Sequence, residues 1–253
     1  CLLSRGLGDV YKRQNQDGVM KGTNYQRYTL QSKQDFKKGI FQAGTNVVLT
    51  YDQSNPLYSV IRGGMVGHTL QAIPTWEQYD ENRTGGYGGL YGDVVNLTHP
   101  LGMVDDNLMK RYSDNVKIFA NAYVSVELMK GLKYKLNLTP DFQFYRYNSY
   151  EGLFDFGLAK HDITAVTEQQ TRTRNILVEN LLTFDRTFGD HKVSALVGYT
   201  YQDSRYRYMQ GSGQGMPTGI TEIDAASQGL AVSGNSSRSV LTSILGRAFY
   251  SYK

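Results

Sequence analysis

The sequence predicts an all-β fold: an antiparallel transmembrane β-barrel wall of about seven strands, with one face turned to lipid. Three observations predict it. Long runs alternate strictly between apolar and polar residues, the connections alternate between short and long, and aromatic residues gather near the ends of the apolar stripes.

The clearest alternation lies in residues 116–147. Val116, Ile118, Ala120, Ala122, Val124, Val126 and Leu128 are apolar, and Lys117, Phe119, Asn121, Tyr123, Ser125 and Glu127 stand between them. After a Met-Lys-Gly turn at 129–131, Leu132, Tyr134, Leu136, Leu138, Phe142 and Phe144 repeat the pattern against Lys133, Lys135, Asn137, Thr139, Asp141 and Gln143. A period of two sends the two sets to opposite sides of a sheet, and a short glycine-containing turn makes the pair a hairpin. Strands in soluble domains run for about five or six residues, and these runs are far longer. About ten residues tilted by roughly 40° cross the apolar band of an outer membrane. Tyr134 falls early and Phe142 and Phe144 late on the second strand, as interfacial girdles require.

The other elements follow in order. Residues 25–31 read as a short strand, 32–35 as a turn, and 39–51 as the returning strand with Phe41, Ala43, Val47, Leu49 and Tyr51 on one face. Residues 52–115 break the alternation and form a long first loop, with a short helix ended by Pro74. Residues 148–170 are a second polar loop. A second hairpin follows, with Ile176, Val178, Leu182, Phe184 and Phe188 on one face of its first strand. Val193, Ala195, Val197, Tyr199 and Tyr201 are on one face of its second, and 188–191 form the turn. Residues 203–238 are a Gly/Ser-rich third loop, and 239–253 begin another strand. Short turns on one rim and long loops on the other are the rule in outer-membrane barrels. The strands beginning near Tyr25 and Ser239 are expected to be the sheet edges.

Composition narrows the functions. Tyr outnumbers Phe 20 to 10, which suits aromatics that need one wet end. The net charge of +4 is spread along the chain with no basic block, so nucleic acid is not an expected partner. Cys1 is the only cysteine, so no intrachain disulfide forms. Residues 1–14 (CLLSRGLGDVYKRQ) lack the apolar core of a signal peptide. They read as a non-native, adapter-derived leader, which leaves 15–253 as barrel wall. Both ends look cut, and the chain is read as a fragment.

Four segments carry a family resemblance. Residues 180–202 (NLLTFDRTFGDHKVSALVGYTYQ), 243–253 (SILGRAFYSYK), 124–138 (VSVELMKGLKYKLNL) and 73–89 (IPTWEQYDENRTGGYGG) resemble, in family order, hairpins and an extracellular segment of the SusC/RagA family of TonB-dependent outer-membrane transporters. Residues 96–102 (NLTHPLG) depart from the family pattern. The resemblance implies a bacterial outer-membrane location, a twenty-two-stranded barrel plugged by an N-terminal domain, and a SusD-like surface lipoprotein as lid. It also implies import of oligosaccharides or peptides with energy passed through TonB. Neither the plug nor a TonB box lies in this stretch.

No catalytic or metal constellation emerges. His68, His99, His161 and His191 are isolated, no HExxH or His-x-His spacing occurs, and neither glycine-rich loop completes G-x-G-x-x-G. No cofactor or metal is expected, and the chain does not read as an enzyme. The candidate ligand-binding residues are Trp76, Tyr79, Tyr87 and Tyr91 in the first long loop. Aromatic rings stack on the C–H faces of sugars while a tyrosine hydroxyl bonds their edges. The competing role for the same rings is to pack that loop against its neighbours. Rival functions are another outer-membrane barrel, either a porin or a barrel enzyme, and a soluble β-rich carbohydrate-binding module. The enzyme requires clustered catalytic groups at the rim, and the module requires two packed sheets.

Overall fold

The structure is a computed structural model that describes residues 4–56, 64–89 and 97–252. Eight strands form one antiparallel sheet: β1 (Ser4–Asp17), β2 (Asn24–Lys38), β3 (Phe41–Asn55), β4 (Met109–Met129), β5 (Leu132–Glu151), β8 (Ala165–Phe188), β9 (His191–Gln214) and β10 (Gln228–Tyr252). They pair in sequence order. Two short strands, β6 (Phe154–Asp155) and β7 (Lys160–His161), form a separate hairpin in the second loop, and α1 (Gly64–Gln71) lies in the first. The helix stops short of Pro74, as expected. No helix among the described residues is long and apolar enough to cross a membrane.

Register puts the alternating sets on common faces. Ile118 opposes Phe142, and the row Val126, Tyr134, Leu182, Val197 and Gly246 crosses five strands. All of the expected lipid-side residues (Ile118, Ala122, Val126, Leu136, Leu138, Leu182, Phe184, Val193 and Val197) share one face. Lys117, Asn121, Glu127, Asn137, Asp141, Glu179 and Thr183 share the other. The apolar face is the more open: Leu136 and Leu138 are exposed while Asn137 between them is half-buried. Side chains splay on a convex surface and converge on a concave one. On the polar face they do converge, since a Cβ added at Gly198 would lie about 3 Å from Leu181 on one side and Leu245 on the other. Hydrogen bonds knit that concave face: Asn121 Nδ2 donates to Asn137 Oδ1 (2.9 Å) and Asn137 Nδ2 to Glu179 Oε2 (2.7 Å). Grease outside and polar groups inside is the arrangement of a transmembrane barrel wall.

Aromatics border the convex stripe at both ends. Phe41, Tyr134, Phe184, Phe188 and Tyr250 stand toward the short turns, and Tyr28, Tyr51, Phe142, Phe144, Tyr199 and Tyr201 toward the long loops. The turns are closed by Gly39, Gly131 and Gly189, all at positive φ (58°, 85° and 59°), where a side chain would be strained.

Several expectations are corrected. The sheet has eight strands rather than about seven. The turn expected at 32–35 lies at Gly39 and Ile40, because polar residues 32–38 continue β2 and pair with β3. Most of 148–170 and 203–238 is strand: β5, β8, β9 and β10 run well beyond the apolar band, where alternation is polar on both faces and invisible to hydropathy. The expected edge at Tyr25 is covered by β1, so β1 and β10 are the edges. Apart from these corrections, residues 4–14, read from the sequence as a leader, are placed in β1. That strand carries no apolar stripe. Its convex-side positions include Asp9, Tyr11 and Arg13, and Asp9 opposes Ser32 in a row that continues through Val47 and Ala120.

Candidate functional site

Consecutive antiparallel pairing puts the connections 56–108, 152–164 and 215–227 on one rim, opposite the three tight turns. These loops are folded on one another. The N–H groups of Gly152 and Asp155 donate to Leu108 O (2.7 Å) and Thr84 O (2.8 Å), and Arg83 reaches Asp155 Oδ1 at 3.0 Å, joining the first loop to the second. Gly219 N–H donates to the Tyr150 hydroxyl (3.0 Å) and Thr164 Oγ1 to Met216 O (2.7 Å), which anchors the third. Beneath them Met65, Met103, Leu108, Met109, Phe154 and Phe156 form a small apolar core. The rim is therefore a built surface.

Three of the four candidate aromatics meet there. Trp76 stands edge-on to His99 with ring centroids 4.8 Å apart, Tyr87 lies 5.2 Å from the same imidazole, and Tyr79 lies 5.6 Å from Tyr87. Tyr91 falls outside the described residues. The three rings do different work. Tyr87 packs against the core and Phe156, and its hydroxyl donates to Asp105 Oδ2 at 2.9 Å. Burial, and then that carboxylate, push its phenol pKa up to about 12. Trp76 is partly covered. Tyr79 is 62% exposed, so its ring is the most open to a ligand.

The centre of the cluster is a residue that the sequence left isolated. His99 is buried and touches Trp76, Tyr87 and Phe156, and burial holds its pKa below the ordinary value against a hydrogen bond with the Glu77 backbone. Phe154 stacks on Phe156 at 4.5 Å and on His161 at 5.5 Å. The available signal was Phe154-Asp155-Phe156, an aromatic alternation inside an otherwise polar loop. His68 accepts the Thr98 N–H on Nδ1 at 3.0 Å, tying α1 to the segment that carries His99. No group of acidic, His or Cys residues among the described ones could hold a metal ion. Ring faces, hydroxyls and backbone amides suit binding a neutral polar ligand.

The concave wall below this rim is lined by Asn121, Asn137, Thr139, Glu179 and the ion pair of Lys117 with Asp141 (3.6 Å). The wall thus has a polar lining on its concave side, folded loops at one end and grease outside.

Comparison with known proteins agrees with this geometry. TonB-dependent receptor P3 of Formosa agariphila is 26% identical over 256 residues, covering 94% of this chain and 24% of that protein. The resemblance to TonB-dependent transporters holds. In fold, the chain matches the RagAB peptide transporter with a TM-score of 0.78 at 14% identity, over 99% of this chain and 28% of that one. The RagAB peptide importer in its closed-closed and open-open states each gives 0.77 at 15% identity with the same coverage. This wall matches both states equally. No family model matches the chain. The chain spans about a quarter of the length of the proteins it matches.

Proposed function

We propose that this chain is a stretch of barrel wall, with its extracellular rim, from an outer-membrane TonB-dependent importer of oligosaccharides or peptides. The observation that carries the reading is the inside-out sheet: an apolar convex face bordered by aromatics at both ends, backed by a hydrogen-bonded polar concave face. That surface serves a protein solvated by lipid outside and water within. Sequence similarity to a TonB-dependent receptor and the fold of a peptide transporter support the importer over a porin. Among the described residues no paired nucleophile and base at the rim favours a barrel enzyme, and no second sheet covers the grease as a soluble module requires.

In this reading a SusD-like lipoprotein lids the folded loops, TonB engages the protein outside this stretch, and Tyr79 and Trp76 contact passing substrate. The test is uptake of labelled oligosaccharides and peptides by cells carrying the full-length protein, with and without TonB. Uptake that requires both the full-length protein and TonB supports an importer. Uptake that persists without TonB overturns the energy-coupled reading and returns the wall to a passive porin.

A further inference from the structure

The convex face carries one strongly charged patch that transport does not use. Arg174 of β8, Arg205 of β9 and Arg238 of β10 stand directly opposite one another in a single row, and Arg172 opposes Arg207 in the next. All five share the face of Val193, Val197, Tyr199 and Tyr201. On β9 the arginines begin just past those tyrosines, on the long-loop side: Tyr199, Tyr201, Asp203, Arg205, Arg207. They therefore stand where the apolar stripe gives way to the headgroup layer on the loop-bearing side.

Like charges directly across neighbouring strands repel, so the arrangement calls for counter-ions. The protein supplies one. Asp203 is buried beneath the first row and meets Arg238 at 2.9 Å, Arg205 at 3.2 Å and Arg174 at 3.8 Å. Among the described residues, Arg174 Nε is buried with no hydrogen-bond partner. Arg172 and Arg207 are exposed, and neither has a hydrogen bond or ion pair among the described residues. Five guanidiniums thus face one carboxylate, beside lipid, with forked donors pointing outward. Guanidinium forks match phosphate oxygens in pairs, and clustered basic residues at a membrane surface recruit anionic headgroups.

We propose that this cluster is a docking site for a phosphorylated lipid headgroup of the outward leaflet. The lipid's acyl chains would lie along the apolar stripe of β8–β10 and its phosphate between the two arginine rows. Arg174, Arg205 and Asp203 form the inner wall, and Arg172 and Arg207 supply the free donors. The inference rests on the membrane reading above.

The test uses the full-length protein that contains this sequence, in phosphatidylcholine nanodiscs with added lipid A or its dephosphorylated form, read by native mass spectrometry. Wild type is expected to retain lipid A over the dephosphorylated form by about tenfold or more. Arg172→Gln/Arg207→Gln, which leaves the Asp203 cluster intact, should erase most of that preference. Arg174→Gln/Arg205→Gln/Arg238→Gln with Asp203→Asn should erase the rest. Heat-modifiable gel mobility identifies folded barrels, and if the fourfold variant does not fold, the double variant decides alone. Equal retention of both lipids by wild type, or an unchanged preference in the double variant, would overturn the proposal. So would inorganic phosphate protecting the protein against heat as well as lipid A does, since that marks an ion site without a lipid. Failure of the membrane reading looks different: the protein would partition away from the membrane fraction and retain neither lipid.

Discussion

Leu138→Arg is the substitution most sensitive to which face meets lipid. Leu138 lies at the middle of the convex stripe of β5, with Tyr134 and Leu136 toward the turn and Phe142 and Phe144 toward the loops, and it is 43% exposed. Its row neighbours are Ala122 and Val178, so no acidic partner is near. An arginine facing lipid at the bilayer midplane destabilises a barrel by about 2–4 kcal/mol. The adjacent Thr139 points the other way and accepts a hydrogen bond from Asn121 at 2.7 Å. Thr139→Arg loses that bond, about 1 kcal/mol, and places its charge in the water-filled side near Asp141 and Glu179. Urea unfolding of the full-length protein in lipid vesicles should therefore penalise position 138 by about 2 kcal/mol more than position 139. Equal penalties, or a larger one at 139, would refute the assignment of faces.

Three more tests address the turns and the rim. Gly131→Ala should destabilise by more than 1 kcal/mol, about the size of a strained backbone position, because φ is 85° and a Cβ would lie 2.4 Å from Asp185 O; a neutral effect in the same unfolding assay would deny the tight turn. In the full-length protein Trp76→Ala and Tyr79→Ala should weaken binding of the imported ligand several-fold by calorimetry, whereas unchanged affinity in both would leave these rings to packing alone. Because burial depresses the His99 pKa, folding favours its neutral form. Its contribution is present above the ordinary value of about 6.5 and is lost as pH falls through the lowered folded value. Protection factors around residues 97–105, with exchange corrected for its intrinsic pH dependence, should fall in that acidic window and stay flat in His99→Phe; an acid-induced fall that survives the substitution would assign it to another group.

What could be read from the sequence was whatever repeats with period two against grease. The faces of β4, β5, β8 and β9 follow directly from Val116–Leu128, Leu132–Phe144 and their counterparts, because a lipid-facing stripe tolerates few exceptions. The upper halves of the same strands were read as loops because residues such as Thr167 to Gln170 and Ser204 to Arg207 carry polar groups on both sides. There backbone pairing, which leaves no trace in hydropathy, decides the structure. The turn at Gly39 was displaced for the same reason: Lys33, Asp35 and Lys37 look like a turn yet alternate with Ser32, Gln34 and Phe36 along β2. At the rim, the aromatic richness of residues 76–87 was legible. The convergence on His99 and Phe156 was not, because contacts between two loops separated by two full strands have no local signature. The arginine rows were equally hidden: Arg174, Arg205 and Arg238 become one row only once the register is fixed.

The most direct measurement is a spin-label walk along β5 from Leu132 to Phe144 in the full-length protein in vesicles, one cysteine at a time, reading collisions with oxygen and with a water-soluble nickel complex. A lipid-facing convex surface predicts oxygen maxima at 134, 136, 138 and 142 and nickel maxima at the odd positions between them, out of phase with period two. In-phase profiles, or even positions shielded from both reagents as in a sandwich core, would contradict it.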